Sequence, residues 1–168
     1  MKLRISLGTL LLAGLASPAG AVDVVFDYSY DNTGFFSSEK RAVLNQVAQV
    51  FSQNLTDTLS AITSSGSNVF DAQLYDPRDP LNSFVTINNF SVSADTVRIF
   101  VGSRAFGTQT LGVGGPGFES VNGSTAFINN AVSRGETGVL LAAPTDFAPW
   151  GGTITFSSTM AWYFDSDV

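Results

Sequence analysis

Residues 149–165 read PWGGTITFSSTMAWYFD, and the fold turns on how this stretch is read. Trp150 followed by Gly151 and Gly152 interrupts any regular element. From there the chain alternates, with Ile154 and Phe156 on one side and Thr153, Thr155 and Ser157 on the other. That period of two predicts a strand with one apolar face. Paired glycines ahead of a strand allow another backbone to come close, which suits an exposed sheet edge that receives an extended chain through main-chain hydrogen bonds.

Upstream, residues 22–30 (VDVVFDYSY) alternate as well, placing Val22, Val24, Phe26, Tyr28 and Tyr30 on one face, and predict the first strand. After a turn at Asp31-Asn32-Thr33-Gly34, Ser37 and Ser38 supply helix caps. Leu44, Val47, Ala48, Phe51, Leu55, Leu59 and Ile62 then keep helical spacing, so one long amphipathic helix is expected over residues 38–62, its stripe buried on a sheet. Residues 69–75, 83–90 and 96–101 read as further strands, 124–133 as a short helix ended by Gly135, and 138–143 (GVLLAA) as either a buried strand or a helical turn. Residues 106–118 hold five glycines and a proline and read as a long surface loop; the glycines lack the lysine and the strand-to-helix junction of a phosphate loop. These elements give an α+β fold: a twisted mixed β-sheet that includes residues 22–30, 96–101 and 153–156, with the long helix packed on it.

The N-terminus carries a different signal. Lys2 and Arg4 precede an apolar run of eleven residues, 5–15, and Ala19-Gly20-Ala21 fits a small-x-small cleavage site. Eleven residues fall short of the roughly twenty that cross a bilayer, so residues 1–21 read as a signal peptide, and residues 22–168 as the exported domain, extracellular or periplasmic, with no membrane attachment after cleavage. Losing Lys2 and Arg4 leaves six of the eight basic side chains against fourteen acidic ones. Such a surface repels polyanions, which argues against a nucleic-acid partner.

The chain contains no histidine and no cysteine. Ser-His-Asp and Cys-His catalysis are thereby excluded, together with disulfides and the usual zinc donor sets, so stability comes from packing. Carboxylates remain, among them Asp23 with Asp27 and Asp165 with Asp167, but no spacing singles out a catalytic pair. Asp76-Pro77-Arg78-Asp79-Pro80 reads as a rigid turn, because its Asp-Pro alternation lacks the ligand series of a calcium loop.

The run GGTITFSS, followed by Trp162 and then Phe164-Asp165, resembles the segment that precedes the zinc helix in matrixin-type metzincin metalloproteases. TLGVGGPG is similar to a glycine-rich loop that some secreted metalloproteases carry between the central strands and the edge strand. The resemblance implies that residues 152–156 are the sheet's edge strand and the upper rim of the cleft, with Gly152, Thr153, Ile154 and Thr155 binding an antiparallel substrate. It also implies a helix with the pattern HExxHxxGxxH further on. With no histidine before Val168, the chain is expected to be an incomplete, metzincin-like N-terminal subdomain. As it stands it would be inactive and without a cofactor, zinc belonging only to the full-length family member, and it would meet a peptide or protein substrate once completed. The alternative is a non-catalytic secreted β-rich module for adhesion or carbohydrate binding.

Overall fold

The computed structural model describes residues 21–107, 109–135 and 148–164. Most of the proposed leader, the apolar run 138–143, and Asp165 and Asp167 lie outside them. Among the described residues no helix is long and apolar enough to cross a membrane.

The architecture is α+β, with one mixed and one antiparallel sheet. In chain order the elements are β1 (Asp23–Asp27), α1 (Ser38–Ser52), β2 (Val69–Tyr75), β3 (Phe84–Ile87), β4 (Thr96–Arg104), β5 (Gly112–Pro116), β6 (Phe118–Asn122), α2 (Thr125–Ser133) and β7 (Gly151–Ser157). Four strands form the mixed sheet in the order β1-β4-β7-β5. The pairs β1–β4 and β4–β7 are parallel, and β5 returns antiparallel along β7. The second sheet, β3-β2-β6, is antiparallel throughout.

The three strands expected to share one sheet do so. The helix differs from its expectation: α1 ends at Ser52, ten residues before Ile62. Its start is set by Ser37, whose hydroxyl accepts from the Lys40 N–H. Gln53 caps its end, and beyond it tertiary bonds hold residues 59–62 out of helical form. The Leu59 N–H donates to the Asp95 carboxylate (2.8 Å), the Ser60 N–H to the Arg134 carbonyl, and Ile62 forms an antiparallel bridge with Val92. Leu59 and Ile62 therefore reach the core from extended backbone, at a spacing that imitates a helix. Of the expected stripe, Leu44 and Ala48 pack on the sheet, whereas Val47 and Phe51 are 41% and 51% exposed and Leu55 is also exposed.

Two cores flank the mixed sheet. On the α1 face, Phe36, Leu44 and Val101 form a cluster joined by Phe26, Tyr28, Phe35, Ile99, Ile154 and Phe156. On the other face, the second sheet closes over Phe70, Leu74, Val92, Phe100 and Trp150. Trp150 meets Phe70, Phe90 and Phe100 edge to face, and its Nε1 donates to the Phe118 carbonyl. Gly117, between β5 and β6, lies directly beneath this indole, and a Cβ there would enter the ring. The glycine lets one continuous chain leave the first sheet and join the second.

Arg134 fastens the segments that lead into the central strands. It is fully buried, caps α2 in the left-handed region (φ 51°), and its guanidinium donates to the carbonyls of Ser60, Ser93, Thr96 and Pro149. A charge out of water is tolerated here because four of the five guanidinium N–H groups meet a carbonyl dipole. Arg134→Met would leave those carbonyls without their shared partner, and should lower unfolding stability by about 3–5 kcal/mol in urea titrations. A loss below about 1 kcal/mol would show that the network is dispensable.

Candidate binding edge beside β5

The structure corrects the expected edge strand. β7 lies inside the sheet, parallel to β4 over residues 98–104 and antiparallel to β5 over residues 112–116. The main-chain groups of Gly152, Thr153, Ile154 and Thr155 are thus committed to neighbours on both sides, and none is free for an incoming chain. Their side chains are occupied as well. Gly152 is buried, Ile154 joins the α1-face core, and the Thr155 Oγ1 donates to the Pro77 carbonyl (2.9 Å). Thr153 is 2% exposed and its Oγ1 has no hydrogen-bond partner among the described residues. The alternation expected of this strand holds: Ile154 and Phe156 face α1 and the threonines face away.

The edge is β5, from the stretch read as loop. Its register with β7 is fixed by two flanking bonds, Ser157 N–H to the Leu111 carbonyl (2.7 Å) and Gly117 N–H to the Gly151 carbonyl (2.9 Å). In an antiparallel ladder the residues facing the partner alternate, so odd-numbered residues bond to β7 while Gly112, Gly114 and Pro116 turn their main chain outward. Pro116 has no N–H to lose, and an edge strand is where proline is tolerated. The sequence carried this signal in the proline, but glycines supply no apolar alternation to reveal the strand.

One side of this edge is walled by the β2–β3 hairpin. The Tyr75 ring rests on Gly115, where a Cβ would come within 2.9 Å of the ring. It also contacts Phe84 (4.6 Å between centroids) and Phe118 (5.9 Å). The hairpin loop holds its shape through the turn residues. Asp76 accepts the Arg78 backbone N–H and both guanidinium nitrogens Nε and Nη2, and Asp79 is ion-paired with Arg104. The Arg78 hydrogen bonds keep the Asp76 carboxyl below its usual pKa despite burial, so this acid serves the turn and is not offered to a cation. Pro80 and Leu81 project from the same loop, and with Tyr75 and residues 113–116 they enclose a groove of about 380 Å³. Across the strand pair, burial raises the pKa of Glu119.

Among the described residues no group of three or more acidic, histidine or cysteine side chains could hold a metal ion. The site offers hydrogen-bonding backbone and apolar surface, which suits binding of a strand. No protein-family model, curated protein or solved structure matches the chain.

The two strands should respond oppositely to proline. Thr153→Pro removes a ladder bond inside the sheet and should cost about 3 kcal/mol or more, whereas Gly114→Pro removes only an outward N–H and should cost less than about 1 kcal/mol in urea unfolding. The reverse order would contradict the strand arrangement.

Proposed function

We propose that this protein is the N-terminal, substrate-presenting part of a secreted zinc-dependent metalloendopeptidase of the matrixin-like metzincin type, with β5 in the role of cleft rim. The observation that carries the reading is the antiparallel strand β5, open on its outer side among the described residues, beside a parallel β1-β4-β7 core, its Gly112 and Gly114 main chain directed outward. An extended peptide adds to such an edge by main-chain hydrogen bonds, and glycines place no side chain in its way. Gly152, Thr153, Ile154 and Thr155, paired on both sides, are not free to take the rim role, and β5 takes it. The segment after β7 keeps the resemblance through Trp162, which packs on Phe156 at 5.3 Å between centroids and donates its Nε1 to the Ser157 carbonyl.

The residues present do not fit a zinc centre. Such a centre needs imidazole or thiolate donors, and the chain has neither histidine nor cysteine. No hydrolytic step is assigned to these residues; their part is to bind and orient. The alternative, a carbohydrate-binding module, draws on the exposed rings of Phe84 and Phe118.

Two readouts test the proposal. The reading frame beyond Val168 should encode HExxHxxGxxH, and the exported protein should begin Val22-Asp23-Val24 on N-terminal sequencing. The purified chain should neither bind zinc tightly nor cleave peptides. Chelator-sensitive proteolysis by the chain alone, a retained Met1, or a downstream sequence without the motif would contradict it.

A further inference from the structure

We propose that the groove beside β5 selects extended peptides that carry a large, uncharged apolar side chain, aromatic or aliphatic, on the strand face opposite α1. The inference rests on the reading of β5 as the peptide-pairing edge and adds a selectivity to it.

A strand paired with Gly112 and Gly114 points its side chains alternately to the two faces of the sheet. One set falls on the α1 side. The other falls where the Tyr75 ring covers Gly115, and there it meets Pro80, Leu81 and Val113 in the groove of about 380 Å³. Apart from the Tyr75 hydroxyl the side chains here are apolar, while the main chain of residues 113–116 supplies the polar surface, and Leu81 is 65% exposed. Tyr75, Phe84 and Phe118 form a continuous aromatic cluster behind them.

Charge decides the chemistry of the guest. Among the described residues no ionisable group other than the Tyr75 phenol lines the groove, and the acids of the loop are ion-paired, Asp76 with Arg78 and Asp79 with Arg104. A charged side chain entering here would lose water without gaining a partner, while an apolar one would cover surface on both sides. The occupant must also satisfy the outward N–H and C=O groups along β5, which a peptide strand does in register. A sugar stacked on Phe84 would leave that row unpaired.

The test uses two fluorescein-labelled peptides of the form Thr-X-Thr-X-Thr, with X either phenylalanine or aspartate, titrated against the purified protein by fluorescence anisotropy. The phenylalanine peptide should bind about tenfold or more tightly than the aspartate peptide, the difference expected for burying one large side chain. Leu81→Asp, in the groove, should weaken the phenylalanine peptide about tenfold, and Phe84→Ser, which removes the ring packed on Tyr75, should weaken it by about threefold or more. Both positions are exposed, and unchanged thermal midpoints would show that the variants fold. Gly114→Pro should remove binding of either peptide. Equal affinity for the two peptides, or indifference to both groove substitutions while Gly114→Pro still abolishes binding, overturns the groove and leaves the edge reading standing. Binding that survives Gly114→Pro, or no binding of either peptide, overturns the edge reading and the groove with it. Displacement of bound peptide by cellohexaose would overturn the proposal in favour of a sugar site.

Discussion

Trp150 is the contact on which both sheets depend. Its indole is 2% exposed and touches aromatic rings from β2, from β4 and from the segment between β3 and β4, while its N–H holds the first residue of β6. Removing a buried tryptophan of this kind costs about 3–5 kcal/mol, because a large void opens where several elements meet. Its position just before β7 fixes where that strand enters the mixed sheet. Its ring against Gly117 fixes where the chain turns from β5 into β6.

That geometry explains why β5, and not β7, is the edge of the mixed sheet. β7 begins directly beneath the tryptophan and is drawn into the centre of the sheet, with β4 on one side. β5 is held against its other side only until Gly117, and among the described residues nothing pairs with the outer main chain of β5. The hairpin loop then stands over this open edge, braced by Asp76 with Arg78 and by Asp79 with Arg104. A wall of side chains and a strand edge unpaired among the described residues thus stand side by side, the arrangement on which the proposed peptide groove rests.

The sequence disclosed elements with strong periodicity and hid those made by tertiary contact. β2 matches its expected bounds, 69–75, and the alternation of β7 is legible in Ile154 and Phe156. The helix is shorter than its pattern suggests because Leu59 and Ile62 continue a helical spacing while Asp95, Arg134 and Val92 bond the backbone of residues 59–62. β5 could not be found from pattern, since Gly112, Gly114 and Gly115 carry no side chains to alternate; only Pro116 hinted that any strand here would be an edge. β6 escaped for a related reason. Its partner β2 lies some fifty residues upstream, and Glu119 within it obscures the apolar alternation.

The central claim is that β5 is open and β7 is closed, and amide hydrogen exchange followed residue by residue addresses it most directly. The amide of Gly114 should exchange at close to the rate of an unstructured chain, while that of Ile154 should be slowed by about three orders of magnitude or more. A protected Gly114 beside a freely exchanging Ile154 would mean that β7 is the exposed strand, and would contradict the account.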